Sequence, residues 1–305
     1  MQYAIGIDLG GTHIKTVAVT SSGEVLKKLS RDTKDNHGTI SNTGTNEPVW
    51  ANEVKELVDW LASEVQHEPA YIGLCAPGLA ATDKRSISFM PGRMAGLEGF
   101  DWTDYLGHTK QVQVANDAHA ALMGEVWQGA ALGLKSVIML TLGTGVGGAI
   151  LHEGHLMKGQ IGRAGSFGHI CLNPDLPSDD TCMPGSLENS IGDRSVATRS
   201  KGKFKSTKDL VRAAVDGDDF AKSVWDRSVR ELACGIASLV NVLDPQAVII
   251  GGGISRAEEH LYEPLQKELA RVEWRPNDWS VPVIPAALGE WSGAFGAAYY
   301  AITET

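Results

Sequence analysis

The sequence predicts an α/β protein with two lobes and a cleft between them, and two patterns support this fold class. Short apolar runs of β-type composition alternate along the chain with segments that have helical spacing. In addition, the succession of strand, glycine-rich turn, strand and turn occurs at residues 3–29 and again at residues 136–154. We interpret this recurrence as an internal duplication at the level of the fold.

The first copy begins with a predicted strand that ends at Asp8, followed by the turn Leu9-Gly10-Gly11-Thr12. Strand sequence resumes at residues 15–20 and, after a second turn, at residues 25–29. The other elements predicted in this half are a mobile polar loop at 31–48, a helix at 54–65, and strands at 71–75 and 112–115. The last strand leads directly into the pair Asn116-Asp117.

The second copy begins with a buried-type strand at residues 137–142, the turn Gly143-Thr144-Gly145 and a strand at residues 146–151. Residues 218–243 carry the clearest helical pattern in the chain, with apolar side chains along one side. A further strand at 247–250 ends in three glycines, and a closing helix is predicted at 293–302.

Composition excludes several classes of protein. The 305 residues carry a formal charge of −10 without a run of Lys and Arg, so we expect no nucleic-acid partner. No apolar stretch reaches the ~20 residues of a membrane helix, and the N-terminus lacks the features of a secretory signal. The four cysteines are scattered, which is typical of reduced thiols in a cytoplasmic protein.

Three glycine clusters each follow an apolar strand: Gly10-Gly11, Gly143-Thr144-Gly145 and Gly251-Gly252-Gly253. Without Cβ atoms, successive backbone N–H groups can approach a phosphate closely. A single cluster is explained as well by a tight hairpin, but three clusters at strand ends favour phosphate binding. The pattern is not a Walker loop, because GxxxxGK(S/T) does not occur, and it is not a Rossmann fingerprint, because each glycine turn is expected to lead into a second strand and not into a helix.

Residues 8–15 resemble the first phosphate loop of the superfamily of actin, chaperone ATPases and sugar kinases. Residues 142–148 resemble its second phosphate loop, and residues 250–254 its adenosine motif. Within the superfamily, the chain is most similar to the ROK family of sugar kinases and repressors. The matching segments occur in family order over nearly the whole chain: Ala76-Pro77-Gly78, Asn116-Asp117-Ala118-His119-Ala120-Ala121 and Ala164-Gly165-Ser166-Phe167-Gly168-His169.

This resemblance implies a duplicated RNase-H-like fold, that of the actin-like ATPases, in which ATP and a sugar meet in the cleft between the lobes. We expect a smaller lobe of residues 1–115 and 291–305, and a larger lobe of residues 116–290. The implied activity is that of an ATP-dependent kinase that phosphorylates a glucose-like hexose at its 6-hydroxyl, with ATP and Mg²⁺ as cofactors. We also expect a homodimer.

Phosphoryl transfer to a hydroxyl needs charge neutralisation, alignment and a base for the hydroxyl proton. Asp117 aligns with the family's catalytic base, although an Asp that follows a strand can also serve as the N-cap of the next helix. Asp8 is expected to hold Mg²⁺ through water. The resemblance assigns nucleotide binding to Asp8, Gly10, Gly11, Thr12, Lys15, Thr141, Gly143, Thr144, Gly145, Gly251, Gly252 and Gly253. Lys15 could instead face solvent, and the two turn threonines could be simple turn-edge residues.

Sugar binding is assigned by the same resemblance to Gly78, Asn116, Asp117, His169 and Glu188. A single His is more often structural, and Glu188 could be a surface residue near the start of a helix. Many ROK proteins hold a structural Zn²⁺ through this His and a CxCGxxGC cluster. In this chain the corresponding stretch keeps only Cys182, and His169, Cys171 and Cys182 are too few for a closed site, so we predict no zinc.

Ser166 stands where the family usually has a sugar-binding Glu, which leaves the identity of the sugar open. An N-acetylhexosamine kinase and a non-catalytic sugar-binding sensor are therefore alternatives to a glucose kinase, and polyphosphate is an alternative donor. A ROK repressor would carry a winged helix-turn-helix before the first phosphate loop, whereas this sequence begins at that loop. We therefore expect an enzyme.

Overall fold

The computed structural model describes residues 2–33, 48–92, 94–179 and 181–304. The strands are β1 Tyr3–Leu9, β2 His13–Thr20, β3 Val25–Asp32, β4 Tyr71–Ala76, β5 Leu79–Ala80, β6 Ile87–Phe89, β7 Gln113–Asn116, β8 Val137–Leu142, β9 Val146–His152, β10 His155–Leu156, β11 Ala247–Gly251 and β12 Val283–Pro285. The helices are α1 Val49–Val65, α2 Trp102–Leu106, α3 Asp117–Gln128, α4 Leu187–Ile191, α5 Val196–Arg199, α6 Thr207–Val215, α7 Asp219–Leu243, α8 Glu259–Val272 and α9 Ser292–Thr303.

The chain divides into two compact units. The first consists of Met1–Gly133, Lys158–Ala164 and Ala287–Thr305, and the second of Leu134–Met157 and Gly165–Ala286. The predicted polar loop at 31–48 falls mostly on residues 34–47, which lie outside the described residues. Across the described ranges, no helix combines the length and the apolar character needed to cross a membrane.

The first unit is built on a five-stranded sheet in the order β3-β2-β1-β4-β7. The three strands at one edge are antiparallel, and β4 and β7 continue parallel to β1. Alternate residues of β1 point to opposite faces: Ile5 and Ile7 belong to the cluster that contains Leu57 of α1, and Ala4 packs with Ala298 of α9. The sheet is therefore covered by helices on both faces.

Glycines in the strands allow α9 to lie directly on the sheet of the first unit. A Cβ atom at Gly6 would come within 1.9 Å of the carbonyl oxygen of Ala294, and one at Gly73 within 1.9 Å of that of Ala297. The small residues of α9 meet the sheet on one side and α3 on the other, where a Cβ at Gly296 would lie 1.6 Å from the oxygen of Ala120. This close packing explains glycine in the middle of two strands, where it would otherwise be unfavourable.

The first unit includes α3, whereas the division predicted from the sequence places residues 116–133 in the other lobe. The buried carboxylate of Glu125, near the end of α3, accounts for the difference. It accepts hydrogen bonds from the amides of Ala287 and Leu288 at 2.9 Å and from the hydroxyl of Ser292 at 2.7 Å. These contacts join α3 to the segment that begins α9.

The second unit has a five-stranded sheet in the order β10-β9-β8-β11-β12. Three strands are antiparallel at one edge, and β11 and β12 continue parallel to β8, so both sheets share one strand order. The predicted helix at 218–243 is α7, whose Leu232 and Ile236 pack with Ile138 and Leu140 of β8 in the core of this unit. The repeated topology agrees with the predicted duplication of the fold.

Candidate active site

The first glycine turn, Gly10 to Thr12, joins β1 to β2 in the first unit. The amide of Gly10 donates to the carbonyl of His13 at 3.1 Å, and a Cβ at Gly10 would lie 2.9 Å from that same oxygen. Thr33 closes the turn, because its hydroxyl donates to the carbonyl of Gly10 at 2.6 Å and its amide to that of Thr12 at 2.9 Å. Glycine is thus required at position 10 for the turn to close.

Asp8 lies near the end of β1, between the buried Ile7 and Leu9, and beside two other ionisable groups. Lys15 stands directly opposite Asp8 in the antiparallel pair of β1 and β2, so both side chains lie on one face of the sheet. Burial raises the pKa of Asp8 to about 6, the Lys15 ammonium opposes this rise, and the Asp117 carboxylate adds to it. This arrangement favours the prediction that Lys15 serves the site over its alternative as a solvent-facing residue.

Two residues outside the predicted site also lie against Asp8. The thiol of Cys75, buried at the end of β4, donates to Oδ1 of Asp8 at 3.7 Å. A Cβ at Gly293 in α9 would lie 2.8 Å from Oδ2 of Asp8, so this carboxylate needs glycine there. The apolar run at 71–75 could have indicated Cys75, but Gly293 belongs to a helix far away in the sequence and carries no local signal.

At the start of α3, Asn116 caps the helix, whereas Asp117 is the first helical residue. Asn116 is the N-cap, since its Oδ1 accepts from the amides of Ala118 and His119 at 3.0 Å. Its Nδ2 donates to Oδ1 of Asp117 and to the carbonyl of Gly78, each at 2.9 Å. The alternative in which Asp117 is the helix cap is therefore disfavoured, and Asn116 orients the Asp117 carboxylate.

Gly78 is required by its own geometry, because its φ is +102° and a Cβ would lie 2.5 Å from the carbonyl oxygen of Phe89. Its carbonyl is the acceptor that fixes the amide of Asn116. Gly78 thus acts on the site through Asn116 and Asp117 in this structure.

Asp8 fits a magnesium ion that is held through water. Mg²⁺ prefers hard oxygen ligands and keeps several waters, so one or two carboxylates together with phosphate oxygens suffice. The Asp8 carboxylate is repelled by that of Asp117, and a divalent cation beside it would relieve this repulsion. In the described ranges, no group of three or more His, Cys, Asp and Glu side chains could form a metal cage.

The second glycine turn joins β8 to β9 in the second unit. The amide of Gly143 donates to the carbonyl of Gly145 at 2.9 Å. Oε2 of Glu188 accepts from the amide of Val146 at 2.9 Å, and a Cβ at Gly145 would lie 2.2 Å from this oxygen. Glu188 is therefore hydrogen-bonded to the residue that follows the turn. This contact disfavours the alternative interpretation, in which Glu188 is an ordinary surface residue.

The backbone that follows α4 braces the same turn from the other side. The amide of Asp193 donates to the carbonyl of Gly143, and the amide of Arg194 to that of Thr144, both at 2.9 Å. The carbonyls of the turn are thus used within the protein. Thr144 itself is exposed.

The third glycine cluster lies beside the second in the second unit. Gly251, at the end of β11, pairs with Thr141 of the parallel strand β8. Gly252 has a φ of +87°, and a Cβ there would lie 2.3 Å from the carbonyl oxygen of Leu142. Thr141, the second turn and the third cluster thus lie together in this unit, and the third cluster leads into a 3₁₀ helix at Gly253–Ala257 and not into a strand as predicted.

His169 is half-exposed and faces the loop that precedes α4. Its Nδ1 lies 3.2 Å from the hydroxyl of Thr181 and 3.7 Å from Oδ2 of Asp179. Burial raises the pKa of Asp179, but hydrogen bonds from the hydroxyls of Thr181 and Ser186 and from the amides of Met183 and Thr181 bring it down to about 2. Polar side chains thus occupy the segment in which the family's zinc cluster would lie, and Cys171 and Cys182 are exposed.

The comparisons with known proteins agree with this architecture. The ROK family model matches residues 4–304. A glucokinase of Thermotoga maritima is 32% identical over 313 residues, covering 96% of this chain and 95% of the relative. A ROK hexokinase of Thermus thermophilus superposes with a TM-score of 0.84 at 29% identity, covering 99% of each chain.

A ROK family glucokinase from Streptomyces griseus, solved in complex with glucose and AMPPNP, superposes with a TM-score of 0.78 at 28% identity. The alignment covers 98% of this chain and 99% of that one. With its two sheets of one strand order, the chain has the duplicated fold of the actin-like ATPases. It belongs to the ROK family.

Proposed function

We propose that this chain is an ATP-dependent sugar kinase that transfers a phosphoryl group to the 6-hydroxyl of a glucose-like hexose, with Asp117 as the base. The observation that carries the proposal is that Asn116, and not Asp117, caps α3. Asn116 caps the helix and donates to Oδ1 of Asp117, so the Asp117 carboxylate is held in one orientation without being needed as the cap.

Asp117 would accept the proton of the attacking sugar hydroxyl. Such a base must lie within hydrogen-bonding distance of the proton that it removes and must be ionised before it does so. The hydrogen bonds from Asn116 and from the Ala118 amide, at 2.8 Å, stabilise the ionised form. The carboxylate of Asp8 lies close enough to that of Asp117 for the two negative charges to repel each other.

The glycine turns would bind the phosphates of ATP through backbone N–H groups. In the first unit, Asp8 would hold Mg²⁺ through water, and the ion supplies neutralisation of charge on the phosphate oxygens when it is bound. Lys15, on the same face of the sheet as Asp8, adds a positive charge to that site. In the second unit, Thr141, the turn 143–145 and the cluster 251–253 supply further contacts to the nucleotide.

The sugar would be bound by His169 and Glu188 in addition to Asp117. A particular observation also favours an N-acetylhexosamine as a second candidate substrate. Ser166 is half-buried at the start of the segment that carries His169, and its carbonyl accepts the His169 amide at 3.2 Å. A Ser in place of a Glu leaves more volume beside this segment, and an N-acetyl group could occupy it.

The test is sugar-dependent release of ADP by the purified protein with ATP and Mg²⁺, across glucose, mannose, N-acetylglucosamine and N-acetylmannosamine. We expect turnover with at least one of them and a product phosphorylated at the 6-position by NMR. Polyphosphate in place of ATP is a parallel arm that identifies the donor. Sugar binding by calorimetry without turnover for any donor would contradict the proposal and indicate a sensor.

A further inference from the structure

A cavity of about 530 Å³ lies within the second unit, between α4, α5, α7 and the loop at 176–179. Of the residues assigned to the proposed reaction, Glu188 lies in its wall. None of the described residues that line it belongs to a glycine cluster. Its walls carry several hydroxyl groups, among them those of Ser195, Thr198 and Ser228, together with the guanidinium groups of Arg194, Arg199 and Arg227.

Arg199 is the feature of this cavity that calls for a ligand. One of its nitrogens, Nη1, donates to the hydroxyl of Ser195 at 3.1 Å and to the carbonyl of Gly192 at 3.3 Å. Its Nε and Nη2 are buried and have no hydrogen-bond acceptor among the described residues. A buried charged donor without an acceptor is strongly unfavourable, because the group has lost its water.

The electrostatics agree with this lack of an acceptor. Burial lowers the pKa of Arg199 to about 10, and the carboxylates of Glu231 and Asp193 only partly oppose the effect. Glu231 is itself bonded to Arg227, with Nε to Oε1 at 2.8 Å. The ionised guanidinium therefore lies in a site where it lacks sufficient negative charge.

The other acidic side chains in the wall, Glu188 and Asp179, each accept hydrogen bonds on one oxygen, whereas Oδ2 of Asp179 is buried without a donor among the described residues. Oε2 of Glu188 accepts from the amide of Val146 at 2.9 Å. Oδ1 of Asp179 accepts from the hydroxyl of Thr181 at 2.7 Å and from the amide of Met183 at 3.0 Å. Lys201 adds a further positive charge to the wall.

We propose that this cavity binds a small oxyanion, namely inorganic phosphate or the phosphate group of a phosphomonoester, whose oxygens accept from Nε and Nη2 of Arg199. The planar guanidinium presents two parallel N–H groups, which match two oxygens of a phosphate. The volume far exceeds the ~30 Å³ that one water occupies, and it lies in the range of ligand sites. The hydroxyl groups of the wall provide donors for the remaining oxygens.

The site would communicate with the second glycine turn through a short path. Arg199 holds the carbonyl of Gly192, and the next two amides, of Asp193 and Arg194, donate to the carbonyls of Gly143 and Thr144. An anion that binds Arg199 and shifts its guanidinium would thus also shift the backbone at residues 192–194, which is hydrogen-bonded to this turn. The binding proposal does not depend on this path or on the proposed function.

The test is a calorimetric titration of the full chain with inorganic phosphate, and separately with glucose 6-phosphate, in the presence of saturating AMPPNP and Mg²⁺. The nucleotide analogue occupies phosphate sites at the glycine turns, so that remaining binding reports on the cavity. We expect one phosphate per chain, and an affinity at least about tenfold weaker in Arg199→Gln, because charge-assisted hydrogen bonds are lost. Binding of the sugar phosphate that is tighter than that of phosphate, and that Arg199→Gln weakens, would identify a phosphomonoester as the ligand of the cavity.

A matched pair of variants on α7 serves if Arg199→Gln fails to fold by circular dichroism. Arg227→Gln removes a charge from the wall, and Arg230→Gln removes a charge from the same helix outside it, where Arg230 pairs with Glu268. We expect phosphate affinity to fall about three- to tenfold in Arg227→Gln and to stay unchanged in Arg230→Gln. Binding that disappears with AMPPNP, equal effects of both α7 variants, or no binding at all would overturn the proposal.

Discussion

The two glycine hairpins share a backbone plan but differ in chemistry. Each joins the first two strands of a five-stranded sheet with the same strand order. The hairpin of the first unit carries Asp8 on its first strand and Lys15 opposite it on the second. In the second unit the corresponding pair is Thr141 and Gly147, which carries no charge, and Glu188 from α4 supplies a carboxylate to this hairpin.

This difference shows what duplication of a fold preserves. A turn that presents backbone N–H groups depends on glycine and strand geometry, so both copies keep it. Charge at the turn depends on single side chains, which can differ between the copies. We infer that the first hairpin acts through its ionised groups and the second through its backbone.

The largest effect is expected for Asp117→Asn in the first unit. Loss of a general base typically lowers the rate by about 10²–10⁴-fold, so kcat should fall by that factor while the Kd for the sugar changes little. Steady-state ADP release and calorimetry measure the two quantities. Asp104→Asn, a change in the exposed first turn of α2, is the matched control and should keep full activity. Near-normal turnover of Asp117→Asn would exclude this residue as the base.

A smaller effect, on stability, is expected for Asp179→Asn in the second unit. Asp179 has a pKa of about 2 in the fold against 3.8 as its ordinary value, so the folded state binds its proton less readily than the unfolded chain. Its contribution of about 2 kcal/mol is therefore present at neutral pH and is lost as the pH falls from about 4 to about 2.

Urea unfolding of Asp179→Asn and of the wild type at pH 7 and pH 3 measures this contribution. We expect the difference in unfolding free energy to be largest at pH 7 and to shrink at pH 3. Asp175→Asn, in the exposed part of the same loop, serves as the control. A difference that is independent of pH would show that Asp179 does not act through its charge.

Gly145→Ala tests the link between the second turn and Glu188. The new Cβ would lie 2.2 Å from Oε2 of Glu188, so this flexible carboxylate must move away from the Val146 amide. We expect KM for the sugar to rise about tenfold through loss of one charge-assisted contact. In a Glu188→Ala background the same change should have an effect of less than about twofold, because the clash is gone. Equal effects in both backgrounds would show that Glu188 is not the cause.

Ser166→Glu tests the substrate preference of the second unit. A carboxylate at this position would accept sugar hydroxyls and fill volume, so the ratio of kcat/KM for glucose to that for N-acetylhexosamines should change by about tenfold or more. Parallel assays with both classes of sugar measure the ratio. An unchanged ratio with activity on both sugars would mean that Ser166 does not face the substrate.

The sequence was informative where the signal is local. Strands β1, β2, β8 and β9, the helix α7 and the three glycine clusters follow from apolar runs and turn residues, and the structure has them at these places. The boundary between the two units could not be predicted accurately from the sequence, because α3 is joined to the first unit by Glu125, which bonds residues more than 160 positions away. Such contacts leave no periodic pattern in the sequence.

The candidate site shows the same limit. The glycine turns and the Asn116-Asp117 pair are sequence motifs, but the capping by Asn116 and the contact of Glu188 with Val146 depend on side-chain geometry. Cys75 and Gly293 reach Asp8 from another strand and from the last helix. The unsatisfied nitrogens of Arg199 are visible only when all of its neighbours are in place.

The contrast between the hairpins is tested most directly by the nucleotide affinity of Asp8→Asn, measured by calorimetry with AMPPNP in the presence of Mg²⁺ and again in EDTA. If Asp8 acts through a cation, the variant should bind the nucleotide several-fold more weakly than the wild type with Mg²⁺. In EDTA it should bind equally well or better, because a carboxylate repels the phosphates when no cation lies between them. Weaker binding by the variant under both conditions would contradict the account.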